Sequence, residues 1–280
     1  MYCCCKATPF SISNKFFILL MSHPNTRVAA TNSNMNRQSV KAMILAAGLG
    51  SRLKPWTDFH PKALALVNGK SLLQRNIEYL QQFGIYEVVV NVHHFAQQII
   101  ETLETNDGYG STITISDESS EVLETGGGLM RAAPYLQNSP FFVLMNADIL
   151  TTLNLAAMIE QHVQSAPLAT LATRVRQTSR YLLFDNNERL VGWRNVTTGE
   201  LKIVGEQTEG EHYSEKAFSG IHIIDPAIFK LVRHTGKFSM IDVYLDLAAK
   251  HTITSFDHTS SLFVDAGKPE SILAAEKLFV

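Results

Sequence analysis

The chain has 280 residues, 45% hydrophobic and 18% charged, with a formal net charge of −2. That is the composition of a globular protein with a sizeable core, and the near-neutral balance offers no broad field to nucleic acid or an anionic membrane. The three cysteines stand together as Cys3-Cys4-Cys5, so the rest of the chain is expected to fold without disulfides, as in a reducing cytoplasm.

The charge is uneven. Residues 1–40 hold Lys6, Lys15, Arg27 and Arg37 and no acidic residue, which leaves about −6 for the remainder. Phe16–Met21 is too short to span a bilayer, and the stretch has no periodic apolar face. Residues 1–39 therefore read as a disordered or non-native extension, with Met21 and Met35 as alternative starts. The folded domain is expected over 40–280.

From Val40 the pattern changes. Val40–Ala46 reads as a buried strand running into a Gly-rich loop. Ser71 caps a helix through Gln82, with Leu72, Leu73, Ile77 and Leu80 on one face and Gly84 past its end. Strand 86–92, helix 94–103, strand 112–115, helix 126–136, strand 141–145 and helix 153–163 follow. This rhythm predicts a doubly wound, mostly parallel sheet. Beyond Leu168 the chain is richer in strands, at 168–174, 181–184, 189–193, 200–204 and 217–224. Helices near 240–249 and 269–279 flank a last strand at Leu262-Phe263-Val264.

Three features carry chemistry. The first is Leu45-Ala46-Ala47-Gly48-Leu49-Gly50-Ser51-Arg52, followed by Pro61-Lys62. A Gly-rich turn after a buried strand bares N–H groups to phosphate oxygens. Arg52 adds a fork suited to two such oxygens, and Lys62 a point charge. The pattern is neither a P-loop nor a dinucleotide fingerprint. Second, Leu123-Glu124-Thr125-Gly126-Gly127-Gly128 places three glycines before a helix, where a flat base or a phosphate against the backbone would justify their entropy. Third, Asp148 and Asp265 each follow a buried strand, where ligands bind in parallel sheets. Two carboxylates with phosphate oxygens suit one Mg²⁺, although either Asp alone reads better as a loop cap or turn residue.

These residues resemble the sugar-1-phosphate nucleotidyltransferases, whose signature is Gly-x-Gly-Thr-Arg, a short gap and Pro-Lys. Here Gly48-Leu49-Gly50-Ser51-Arg52 is followed by nine residues and then Lys62. The resemblance runs from Lys41 to the C-terminus and is nearest to the N-acetylmuramate 1-phosphate uridylyltransferase and mannose-1-phosphate guanylyltransferase-like branches. Ser51 stands for the usual Thr, Asn146-Ala147 precedes Asp148 without the common Gly, and Lys268 replaces a common Thr.

The resemblance implies a Rossmann-like, GT-A-like three-layer α/β sandwich with a strand-rich sugar-binding second half. It implies a nucleoside triphosphate and a sugar 1-phosphate as partners, Mg²⁺ on Asp148 and Asp265, and Arg52 and Lys62 as catalytic cations. Leu45, Ala46, Ala47, Gly48, Gly50, Ser51, Gly126 and Gly127 would face the nucleotide; Glu124, Asn146, Ser219 and Gly220 would face the sugar. A cytoplasmic monomer or homodimer making nucleotide sugars for the cell envelope is expected, with no nucleic-acid or membrane partner. The alternative is a nucleotide-sugar-binding regulatory module that kept the fold and lost turnover. His93 and His94, adjacent on a strand end, point in different directions and read as hydrogen-bonding groups, not metal ligands. Asp242 and Asp246 read as a solvated helix edge.

Overall fold

Ala42, Met43 and Ile44 are fully buried within the strand Lys41–Leu45 (β1), as a parallel strand covered on both faces must be. The computed structural model describes residues 39–205 and 212–280, so the expected extension over 1–39 lies, but for Ser39, outside the described residues. After β1 come Leu66–Val67 (β2), Lys70–Ser71 (β3), helix Leu72–Gln81 (α1), Glu87–Val92 (β4), helix Ala96–Thr105 (α2) and Thr112–Asp117 (β5). Helix Glu124–Leu136 (α3), Phe142–Asn146 (β6), Ile149–Thr151 (β7) and helix Leu155–Ser165 (α4) complete the first half. The second half holds Ala169–Arg174 (β8), Arg180–Phe184 (β9), Leu190–Asn195 (β10), Leu201–Ile203 (β11) and Ser214–Ile224 (β12). It ends with helix Met240–Ala248 (α5), Ile253–Asp257 (β13), Phe263–Asp265 (β14) and helix Pro269–Leu278 (α6).

Strands β5, β4, β1 and β6 lie side by side and parallel. The long β12 then runs antiparallel to β6 and joins this half to β8 and to the antiparallel run β9-β10-β11. Alternate β1 side chains point to opposite faces. Ala42 and Ile44 pack with α1, α2 and α4, while Met43 packs with α3 and α5. The result is the expected three-layer α/β sandwich. Among the described residues no helix is long and apolar enough to cross a membrane.

Element boundaries shift where caps intervene. Helix α2 starts at Ala96 and not at 94, because Phe95 takes a left-handed φ of 55° that cannot continue a helix. Helix α4 starts after Asn154, whose side chain accepts from the N–H of Ala157.

Candidate active site

The carboxyl ends of β1, β4, β5 and β6 share one edge of the sheet, where the following loops enclose a cleft of about 540 Å³. Asn91, buried in β4, fastens one wall. Its Oδ1 accepts from the N–H of Ala46 at 2.6 Å and of Ala47 at 3.3 Å, and its Nδ2 donates to Glu118 Oε1 at 2.8 Å. Gly50 is left-handed at φ 62°, and a Cβ there would lie 2.9 Å from both Lys62 Cβ and Thr57 Cγ2, so glycine is required twice over. Gly48 differs. A Cβ at that position would meet nothing within 4 Å, and the residue lines the cleft.

The loop then makes a tight turn over Ser51–Leu53, in which Leu53 is buried as an anchor. Arg52 stays half-exposed, its Nη2 3.8 Å from Asp265 Oδ1. Pro61 leads into a second tight turn that carries Lys62. The Lys62 ammonium donates to Asp148 Oδ2, with both side chains largely shielded from water. The sequence reading set Lys62 against a phosphate; here the carboxylate beyond β6 holds it.

Asp148 and Asp265 come together because β7 and β14 pair antiparallel. Asp265 lies opposite Ile149, and the N–H of Ala266 donates to the carbonyl of Asp148 at 2.8 Å. Asp265 Oδ1 is buried and has no hydrogen bond among the described residues. Room for it depends on Gly267, where a Cβ would stand 2.6 Å from Arg52 Nη2 and 2.7 Å from Asp265 Oδ1. A buried carboxylate oxygen without a donor is costly, and a hard divalent cation is a suitable partner for it. The described residues contain no group of three or more His, Cys, Asp and Glu placed to hold a metal. Two carboxylates with positions left for ligand oxygens form a donor set that a hard divalent cation accepts.

Leu45, Ala46, Ala47, Ser51, Glu124 and Asn146 also line the cleft. Gly126 and Gly127 do not. Helix α3 begins at Glu124, so these glycines fall inside its first turns and not in front of it. A Cβ at Gly126 would come 2.4 Å from the Phe238 ring, and one at Gly127 2.3 Å from the carbonyl oxygen of Gly236. The close seating of α3 on residues 236–238 accounts for glycine at both positions. Ser219 and Gly220 lie behind the cleft wall. Ser219 is 1% exposed, its Oγ 2.7 Å from His258 Nε2. Gly220, at φ 72°, makes room for the Asn146 amide, 2.7 Å from where a Cβ would be. Both support the wall from behind.

Sequence reasoning passed over Glu118, Arg180 and Ser239 and gave Asn91 and Thr125 no role of their own, yet all five line the cleft. Glu118 is 1% exposed with Oε2 lacking a hydrogen bond among the described residues. Burial pushes its carboxyl above the usual value, against the pull of the Asn91 hydrogen bond. The signal was a lone amide in the apolar run of β4 and an acid just past β5, both at the ligand-bearing end. Glu124 carries a positive φ of 58°, a strained backbone of the kind held at binding sites. His93 Nδ1 lies 2.7 Å from the Glu118 carbonyl oxygen. Asp242 and Asp246 pair with Lys202 and His234 at the surface.

The family model described as "Nucleotidyl transferase" matches residues 41–279. N-acetylmuramate alpha-1-phosphate uridylyltransferase from Caulobacter vibrioides is 31% identical over 242 residues, covering 84% of this chain and 95% of that protein. Mannose-1-phosphate guanyltransferase from Yarrowia lipolytica is 29% identical over 245 residues, 86% of this chain, which spans only 64% of that relative's length. Among solved structures, HddC from Yersinia pseudotuberculosis complexed with GMP-PN is similar with a TM-score of 0.67 and 25% identity, covering 86% of this chain and 100% of that one.

Proposed function

The chain belongs to the nucleotidyl transferase family, and from that premise we propose that it joins a nucleoside triphosphate to a sugar 1-phosphate. The products are a nucleotide-diphosphate sugar and pyrophosphate. The observation that carries this reading is that Arg52, Lys62 and Asp148 line one cleft beyond the parallel strands, with Asp265 3.8 Å from the Arg52 guanidinium and opposite Ile149.

A sugar 1-phosphate is ionised at neutral pH, so its oxygen can attack the α-phosphorus without a general base. The bond from that phosphorus to the β-phosphate oxygen breaks, and pyrophosphate leaves with the electron pair. The barrier lies in alignment and in bringing like charges together. The Gly48–Ser51 backbone cradles phosphate oxygens, and the Arg52 fork steadies the leaving pyrophosphate. Lys62 supplies a fixed cation on the side of the α-phosphate or the sugar phosphate. Asp148 and Asp265 would hold Mg²⁺, which when bound neutralises charge on the reacting phosphates.

The relatives' names support uridylyl or guanylyl transfer as the chemistry. Pyrophosphate release, measured with each of the four nucleoside triphosphates against a panel of sugar 1-phosphates and Mg²⁺, tests the reading. Release with UTP or GTP is expected. Binding of nucleotide sugars with no pyrophosphate from any pairing would instead make the protein a regulatory module.

A further inference from the structure

The turn between β2 and β3 consists of Asn68 and Gly69, at φ of 47° and 76°, the left-handed pair that a tight hairpin demands. Arg75 pins this hairpin to α1, its Nε and Nη2 donating to the Val67 carbonyl at 3.0 and 2.7 Å. The exposed Asn68 amide reaches the other way, to the end of the chain. Its Nδ2 donates to the carbonyls of Glu276 at 2.7 Å and Phe279 at 3.2 Å. Both lie at the C-terminal end of α6, where carbonyls run out of partners within the helix. Asn68 is a cap supplied from 208 residues away.

Helix α6 is otherwise thinly held. Ala275 is the only residue it buries, with Ile272 half-buried beside it. Yet α6 packs on both β2 and β14 and walls a small apolar cluster, separate from the two that flank the main sheet. Each of Arg52, Lys62, Asp148 and Asp265 adjoins a member of that cluster. Leu53 follows Arg52, and Ala65 donates its N–H to the Lys62 carbonyl at 3.0 Å. Leu150 stands two places after Asp148, and Val264 and Ala266 flank Asp265. Opening of α6 would bare the cluster and loosen β14, and a helix with so little buried surface is among the first segments to open.

We propose that Asn68 is a positioning residue: by clasping the end of α6 it keeps this cluster closed and holds Asp265 beside Asp148. Its effect on turnover rests on the nucleotidyltransferase reading above; the clasp itself does not.

Two variants separate the clasp from the turn. Asn68→Gly keeps the left-handed backbone and deletes the amide. Asn68→Asp keeps the shape but sets a carboxylate against two carbonyls at the negative end of a helix. Hydrogen exchange of the free protein, read by mass spectrometry, should quicken at 262–266 and 269–280 in both variants, more in Asn68→Asp, with α1 and β1 unchanged. With the substrate pair that yields most pyrophosphate, kcat should fall about tenfold, within the roughly hundredfold cost of a misplaced reacting group. The KM for triphosphate should stay within about twofold. Wild-type exchange at 262–266 in Asn68→Asp overturns the proposal, as does quickened exchange there with an unchanged kcat, which would make Asn68 a helix cap alone. A wild-type protein that releases no pyrophosphate from any pairing defeats only the catalytic reading, and exchange at 262–266 then decides the clasp.

Discussion

The ammonium of Lys62 donates to Oδ2 of Asp148, closing a link between residues 86 apart in sequence at the mouth of the cleft. A cation entering beside Asp148 meets a carboxylate already occupied by a positive charge. Lys62 therefore restrains that carboxylate in the free site.

Lys62→Ala should lower kcat by about two to three orders of magnitude, the scale for losing one preorganised electrostatic contact, while the KM for triphosphate rises much less. The same variant should bind Mn²⁺ more tightly than wild type in the absence of nucleotide, because Asp148 has lost its resident cation. Lys62→Arg should recover only part of the rate. Steady-state kinetics with a Mn²⁺ titration checks both halves. An unchanged kcat with a raised KM would reduce Lys62 to a binding residue.

Asp265→Asn should shift the melting temperature little, since Oδ1 is buried with no hydrogen bond among the described residues and the amide gives up only the exposed ion pair with Arg52 at 3.8 Å. Turnover should fall at least about a hundredfold with the loss of a metal ligand. Asp148→Asn should lose turnover similarly but also some stability, because it breaks the shielded pair with Lys62. Near wild-type rates at ordinary Mg²⁺ in either variant would remove that residue from the site.

The two loop glycines should separate folding from binding. Gly50→Ala meets Lys62 and Thr57 at 2.9 Å in a left-handed backbone and should lower the melting temperature. Gly48→Ala meets nothing in the free protein, so it should fold normally yet raise the triphosphate KM about tenfold or more by holding phosphate off the backbone. An unaltered KM in Gly48→Ala would show that no ligand approaches there.

Stability should fall on the acid side of neutrality. Burial lowers His162 and His258 to about 4 and His222 to about 3, from 6.5. Between pH 6.5 and 4 the unfolded chain takes up protons that the fold refuses, so stability is full above 6.5 and drains as pH falls. The slope from three such groups is up to about 4 kcal/mol per pH unit near pH 5. His162→Gln, which cannot titrate, should cut it by about a third. Melting temperatures from pH 7.5 to 5 test this, and a flat profile would contradict it.

Local rules carried most of the elements and the outline of the site. Ser71 as a cap, the apolar run of β1 and the spacing of Arg52 from Lys62 act within a few residues, where capping, periodicity and turn chemistry are settled by the sequence itself. The contents of the cleft beyond that outline were decided by contacts between distant segments. The pairing of β7 with β14 sets Asp265 beside Asp148, and Asn91 joins the first loop to Glu118. Gly126 and Gly127 looked like a ligand's imprint, and the atoms set against them are those of Phe238 and Gly236, which only the folded chain brings there.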